Sequence, residues 1–367
     1  MAPRVCIDLS RSFHRTIEGQ PTGIDRVEQA SAEAVFRQAN CSAVIRSASA
    51  FQVIDAQAGA DLLAGKSKSL KPTRPMRHFA RDLARHCDIY VAVGHNLPPA
   101  EILFELRRQN VRIVVMVHDI IPLTHPEFAT PGTIKRMRRQ WPAVAACSSA
   151  IIHLTQVGRE RWQALFPVTL HAQDHHILAP PVRTPARSLD QTNDLAFLAI
   201  GTIEPRKNTA FLLDLWDALE ETARPTLHIV GRAGWEEPSV LHRLRRATES
   251  GHLIWHDDMC DLELDRLLQT SQALLFPSLA EGFGLPVAEA RLAGLPVIAN
   301  TLPELAELHG NTITLISASN LSFWVTHIRK IISLFSVDSH NYNVTSNEDP
   351  AWTAQTFEDR LTRILRD

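Results

Sequence analysis

No apolar run in this chain approaches the length of a membrane-spanning helix, so no transmembrane helix is expected. Cysteine is scarce, and Cys6, Cys41, Cys87, Cys147 and Cys260 stand without paired spacing. That argues against a disulfide framework or a cysteine zinc site and fits a reducing cytosol. No internal repeat or low-complexity tract is present. No G-x-G-x-x-G turn follows a strand-like run, which argues against a nicotinamide dehydrogenase. Residues Met1 to Asp8 lead straight into a strand, so no signal peptide is expected. What is left is an ordinary globular composition, 45% hydrophobic and 21% charged over 367 residues, with room for two domains.

The formal net charge of −2 conceals a split. Residues 1–178 carry 22 Lys and Arg against 15 Asp and Glu, whereas residues 179–367 carry 16 against 25. A basic half joined to an acidic half points the first at an anionic partner. Within it, Arg74, Arg77, Arg81 and Arg85 fall at helical spacing, and Lys135, Arg136, Arg138 and Arg139 cluster just before Trp141. A solvated helix face accounts for each group. The alternative is a face that docks an anionic membrane surface or a lipid diphosphate. No nucleic acid partner is expected.

The stretch Ala179-Pro180-Pro181-Val182-Arg183-Thr184-Pro185, polar onward to Asp194, cannot form a regular element and reads as a linker over 179–194. It separates a domain over 1–178 from a second over 195–349. Both alternate short apolar runs with helical stretches, the pattern of α/β domains built on parallel sheets. In the first, Val5 to Leu9, Ile89 to Val93 and Arg112 to Val117 read as buried strands, with a helix from about Arg26 to Gln38. In the second, the strands are Leu195 to Ile200, Thr226 to Val230, Leu253 to Trp255, Leu274 to Phe276 and Pro296 to Ala299.

Open α/β sheets bind ligands beyond the carboxyl ends of their strands. His118 and Asp119 stand at one such end; a satisfied histidine and a helix cap are their bland readings. Gly201-Thr202-Ile203-Glu204-Pro205-Arg206-Lys207-Asn208 stands at another, where glycine permits close approach and two cations suit a diphosphate. A surface charge pair is the alternative. Gly231 and Arg232 end the next strand. Ser278 to Gly284 carries Glu281 and opens a short helix with Pro286 in its first turn, Glu289 about one turn in, and Gly294 as its stop. Either carboxylate can accept from vicinal sugar hydroxyls, or be a loop charge and a helix-dipole residue. Asp257, Asp258, Asp261 and Glu263 are cap and first-turn charges of a helix beginning at Asp261, so no metal is expected.

The string PSLAEGFGLPVAEARLAGLPVIA, with seven residues between Glu281 and Glu289, closely resembles the donor-binding signature of the retaining nucleotide-sugar glycosyltransferases of family four. GTIEPRKN resembles that family's diphosphate-binding loop, and VHDIIPLTHPEF a recurrent segment in its bacterial members. The resemblance spans nearly the whole chain. It is strongest at 200–208 and 276–300 and weak in 40–110 and 310–348.

The resemblance implies a GT-B fold, two Rossmann-like domains facing across a cleft, with a C-terminal helix (about 350–367) crossing back to the first domain. It implies transfer of a hexose from a nucleotide diphosphate sugar, with retention, to a glycan or lipid-diphosphate-linked acceptor, as in bacterial surface polysaccharide assembly. Within the family, GTIEPRKN is similar to mannosyl- and rhamnosyltransferases, which favours GDP-mannose. By the same resemblance, His118 meets the donor sugar and Asp119 stands beside it. Arg206 and Lys207 hold the diphosphate; amides of Phe283, Gly284 and Leu285 touch sugar or phosphate. Glu281 holds a sugar hydroxyl, Glu289 the ribose, and Gly201, Gly231 and Arg232 line the nucleotide. Thr22, Gly23 and Ile24 resemble the family's acceptor-side loop. No metal or other cofactor is implied, and the expected location is cytoplasmic, peripheral on the inner face of the plasma membrane if the basic helices dock. A nucleotide-sugar epimerase on the same scaffold would release free product without acceptor, and a non-catalytic binding protein would lack turnover. A paired-carboxylate glycosidase fits poorly beside a diphosphate loop.

Overall fold

A computed structural model describes residues 2–15, 23–66, 70–167, 173–186, 194–220, 224–249, 251, 253–337 and 350–366. The chain divides into two compact units, Met1–Pro181 with Pro350–Asp367, and Val182–Asp349.

The first unit holds β1 (Val5–Asp8), β2 (Cys41–Arg46), β3 (Ala50–Asp55), β4 (Arg74–Pro75), β5 (Ile89–Ala92), β6 (Arg112–Val117), β7 (Ala150–His153) and β8 (Asp174–Ile177). They form one sheet in the order β4-β3-β2-β1-β5-β6-β7-β8. Every pairing from β2 to β8 is parallel, and β3 and β4 add an antiparallel edge. The central strands are buried along their length, which is why they read as unbroken apolar runs. Tyr90, Phe79 and Phe51 stack edge to face in the core, with centroids 5.0 and 6.2 Å apart.

The C-terminal helix Ala354–Arg366 belongs to this unit. Its buried face carries Phe357, Leu361, Ile364 and Leu365. Arg112 donates to the carbonyls of Leu365 at 3.1 Å and Ile364 at 2.9 Å, and Arg37 pairs with Glu358. Trp352 is buried at its foot, in a short 3-10 turn.

The second unit holds β9 (Ala196–Ile200), β10 (Thr226–Val230), β11 (Leu253–His256), β12 (Ala273–Phe276), β13 (Val297–Ala299) and β14 (Thr314–Leu315). They form an all-parallel sheet in the order β11-β10-β9-β12-β13-β14. The proline-rich stretch does not stay clear of this unit. Val182 is buried, Arg183 pairs with Asp265, and the Ala186 amide donates to Asp265 at 2.9 Å.

Two expectations are corrected at the start of the chain. The polar stretch after β1 holds a helix, Ser10–Arg15, and the next helix begins at Gly23 rather than Arg26. Asp25 explains the early start. It lies in the first turn, where a carboxylate favours the helix dipole, and pairs with Arg11 at 2.6 Å and Arg15 at 3.5 Å. The arginine series 74–85 is also not one helical face. Arg74 lies in β4, Arg77 in a 3-10 turn, and only Arg81 and Arg85 lie in the helix Phe79–His86. The buried Asp82 gathers Arg74 at 2.9 Å, Arg85 at 3.8 Å and Arg81 at 3.9 Å.

Beneath β1 and β2 lies a buried ion pair invisible in the sequence. Arg46 Nε donates to Asp8 Oδ2 at 2.8 Å, and the Tyr90 hydroxyl donates to the same oxygen. Both charged side chains are almost fully buried. Removing one partner of such a pair leaves an uncompensated charge. Arg46→Met should therefore destabilise the protein by about 3–5 kcal/mol. Urea denaturation followed by tryptophan fluorescence measures this, and an unchanged midpoint would show that Asp8 finds another partner.

Candidate functional site

The second unit concentrates its charged groups where β9 and β12 end. After β9 the chain passes a 3-10 turn, Pro205–Lys207, and enters the helix Thr209–Asp217 through Asn208, which is left-handed with φ 57°. After β12 comes the loop that carries Glu281, then the helix Leu285–Leu292, whose N-cap Gly284 has φ 83°. A side chain at Gly284 would be strained in that conformation and would press on Leu305. The two loops are tied through the Leu279 amide, which donates to the Arg206 carbonyl at 2.7 Å, and through Arg206 Nη1, which donates to the Ala280 carbonyl at 3.0 Å.

Glu281 is the centre of this arrangement. Its Oε1 accepts from Lys207 Nζ at 2.6 Å and lies 2.9 Å from Arg206 Nη1. Arg206 Nε also pairs with Glu204 at 2.7 Å. Lys207 Nζ stands 4.8 Å from the centroid of Phe276, a cation–π contact. Burial lowers the Lys207 pKa, with Glu281 pulling it back. For Glu281, burial pushes the pKa up, but Arg206 and Lys207 outweigh it and hold the carboxyl below its ordinary value. The site thus holds two positive charges, the carboxylate of Glu281 shared between them and that of Glu204 on Arg206, all partly stripped of water.

Two glycines make room for this. A Cβ at Gly201 would stand 2.9 Å from Lys207 Cε, and one at Gly231 would stand 2.0 Å from the Gly201 carbonyl oxygen. The β9 and β10 loops therefore touch backbone to backbone. The Ile203 amide donates to the Arg232 carbonyl, and the Gly234 amide to the Ile203 carbonyl, each at 2.9 Å. The Arg232 side chain is half exposed and lies 3.5 Å from Asp258.

Phe283 is buried beside Gly284, and in the first turn of the following helix Pro286 has no N–H while the Val287 and Ala288 amides donate to the Gly284 carbonyl at 2.9 and 3.3 Å. Glu289 is buried in that helix, one turn in. Asn300, at the end of β13, was not singled out in the sequence. Its Nδ2 donates to the Ser278 carbonyl at 2.9 Å and its Oδ1 accepts from the Ala318 amide at 2.9 Å, so it fixes the loop below Glu281. Asn208 was quoted but given no role; its Nδ2 reaches the Pro277 carbonyl at 3.4 Å.

The first unit carries the other expected residues. His118 is buried at the carboxyl end of β6, and its Nε2 lies 2.7 Å from the Val93 carbonyl, so that nitrogen carries the proton. Burial, with the neighbouring His95, lowers its pKa to about 3. The ring is neutral at physiological pH and keeps Nδ1 as its acceptor. Asp119 Oδ1 accepts from the Ile121 amide at 3.1 Å, a capping contact for the helix Ile121–Thr124. Thr22 lies outside the described residues, and Gly23 and Ile24 are the first residues of a helix rather than a loop.

Sequence reasoning also missed Glu28. It is buried, and its Oε2 accepts from the Ser12 amide at 2.8 Å and from the Ser12 hydroxyl. Burial raises its pKa to about 7 despite those donors. A glutamate in the second turn of an amphipathic helix gives no sequence signal of this.

Residues 194–333 match the family of group 1 glycosyl transferases. O-antigen chain mannosyltransferase B of Escherichia coli is 30% identical over 222 residues, 57% of this chain and 58% of its own. The serotype-specific mannosyltransferase WbdA of Escherichia coli is 31% identical over 218 residues, 53% of this chain and 26% of its own. The match thus spans little more than half of one relative and a quarter of the other. Among solved structures, HepE of Anabaena in complex with UDP-glucose superposes with a TM-score of 0.71 at 15% identity, over 99% of both chains. The apo lipopolysaccharide outer core galactosyltransferase WaaB does so at 0.60 and 15%, over 98% of this chain and 99% of its own. The fold is the GT-B fold of these glycosyltransferases.

A methyl group at position 231 has nowhere to go, because the atoms it meets are backbone. Gly231→Ala should destabilise the protein by roughly 1–3 kcal/mol, the range of overpacking. A thermal-unfolding comparison checks it; an unchanged midpoint would mean that the two loops separate without penalty.

Proposed function

From the membership of residues 194–333 in the group 1 glycosyl transferases, we propose that the chain is a retaining hexosyltransferase that uses a nucleotide diphosphate sugar. The observation that carries the reading is the pair Arg206 and Lys207, held desolvated on Glu281 at the carboxyl edge of a parallel sheet. As the bond from the anomeric carbon to the phosphate oxygen breaks, negative charge grows on the leaving diphosphate. Two preorganised cations in a site already short of water stabilise that charge more than they stabilise the bound donor. The amides at the start of the helix Leu285–Leu292 add the positive end of its dipole. Protein cations supply the charge in this scheme, without metal. Glu289 then holds the ribose, and His118 accepts from a sugar hydroxyl through Nδ1.

Mannose is the proposed sugar, supported by the mannosyltransferase names of the relatives, and GDP-mannose the proposed donor. The acceptor is a glycan or a lipid-linked glycan of a bacterial surface polysaccharide, handled at the cytoplasmic side. A mass-spectrometric screen of donor turnover across guanosine, uridine and thymidine diphosphate sugars should find mannose transfer. In that assay Lys207→Ala should lower turnover by roughly a hundredfold or more. Full turnover in a folded Lys207→Ala variant would remove the diphosphate role from this loop.

The basic helix Pro131–Cys147 supports contact with an anionic membrane. Lys135, Arg136, Arg138 and Arg139 are exposed on it while Met137 and Trp141 are buried. Each such cation near an anionic surface is worth about 1 kcal/mol, decaying over roughly a Debye length. Binding to vesicles rich in phosphatidylglycerol should fall steeply with salt, and replacing these four residues by glutamine should remove most of it. A wild-type protein that stays in the supernatant at low salt would return the four to a solvated helix face.

A further inference from the structure

A second cavity lies in the Val182–Asp349 unit, away from the loops that hold Glu281. It has a volume of about 580 Å³ and is lined by the end of the helix Thr209–Asp217, the helix Pro238–Glu249, Arg224 and the first residue of β11. Leu213, Trp216 and Leu253 give it an apolar floor, and Arg224, Arg243 and Arg246, with His242 and the carboxylate of Asp217, a polar rim of net positive charge. Arg224 stands just before β10 and Leu253 begins β11, so the cavity opens at the amino edge of the sheet. The Gly231 loop leaves the opposite edge, roughly 15 Å away along the five residues of β10.

The three arginines are not equivalent. Arg243 is held by Asp214 at 2.6 Å and Asp217 at 2.5 Å. Arg224 gives one Nη2 hydrogen bond to the Leu219 carbonyl at 3.0 Å, while its Nε is buried with no partner among the described residues. Arg246 is exposed and in no ion pair among the described residues. Two guanidinium groups without a carboxylate suit a dianionic phosphomonoester, whose three oxygens engage both forks, where a carboxylate engages one. A cavity of this size takes a small organic molecule rather than a bare ion.

We propose that this cavity binds a phosphomonoester, with the phosphate on Arg224 and Arg246 and the organic part on Leu213, Trp216 and Leu253. A ligand there touches none of the loops that hold the diphosphate, so the site is separate from theirs. The proposal stands apart from the reading of the Glu281 site.

Titration calorimetry on the full chain tests it, with a hexose 6-phosphate, a nucleoside monophosphate and inorganic phosphate as probes. One of the two phosphomonoesters should bind saturably and more tightly than inorganic phosphate. That binding should persist in Lys207→Ala, which disarms the diphosphate loop, and weaken at least tenfold in Arg246→Gln. Arg224→Gln should do the same. Because Arg246 is exposed, its variant keeps the test valid if Arg224→Gln unfolds. No binding of either phosphomonoester, binding lost in Lys207→Ala, or binding unchanged in Arg246→Gln would each overturn the proposal. Preference between the two phosphomonoesters distinguishes a sugar phosphate from a nucleotide as the source.

Discussion

One carboxylate holding two cations is the interaction on which the Val182–Asp349 unit is arranged. Lys207 and Arg206 are buried deeply enough that water no longer solvates them fully, and such charges persist only when paired. Glu281 is the partner they share, with Glu204 a second partner of Arg206, and it arrives from a loop 74 residues further along the chain than Lys207. Everything nearby serves that meeting. Gly201 leaves space for the Lys207 stem, Asn208 turns the chain left-handed into its helix, and Asn300 holds the loop from below. On the proposed function, a diphosphate entering this site finds the desolvation of the cations already accounted for by folding. Its binding need only share them with Glu281, which is what electrostatic preorganisation means in terms of atoms.

The same architecture treats charge differently in the other unit. There Asp8, Arg46 and Glu28 are buried below the ends of β1 and β2, satisfied largely by one another, by Tyr90 and by Ser12. These groups lock the helix Ser10–Arg15 and the following helix onto the sheet rather than standing ready for an anion. Parallel sheets give both units the same sort of carboxyl edge; which loops follow the strands decides what that edge holds.

The legible part of the fold was the part with a single cause. Strands buried on both faces must be apolar throughout, and Arg112–Val117, Ala196–Ile200 and Ala273–Phe276 read correctly for that reason. The antiparallel edge of β3 and β4 and the polar edge strand β8 lack that signature, since one side or one end faces water. The residues from Gly201 to Asn208 were legible by type and place, as a glycine, two cations and a helix start. Their pairing with Glu281 was not, because a contact 74 residues apart leaves no local pattern. Charge counting misled in a similar way: three of the four arginines between Arg74 and Arg85 converge on one buried Asp82, which a tally of cations cannot reveal.

The charge split survives folding and, on the proposed function, constrains how a nucleotide-sugar donor reaches its site. Met1–Pro181 with Pro350–Asp367 carries 25 Lys and Arg against 18 Asp and Glu, and Val182–Asp349 carries 13 against 22. The unit with the proposed diphosphate loop is therefore the acidic one, and its net field repels a nucleotide sugar. At physiological ionic strength that field decays over about 8 Å, whereas interactions among buried groups are screened far less. Beyond a Debye length the donor feels little; within one, Arg206, Lys207 and the start of the helix Leu285–Leu292 dominate. Recognition in such a site is a short-range event. Its selectivity for a diphosphate rests on contact geometry, not on long-range attraction.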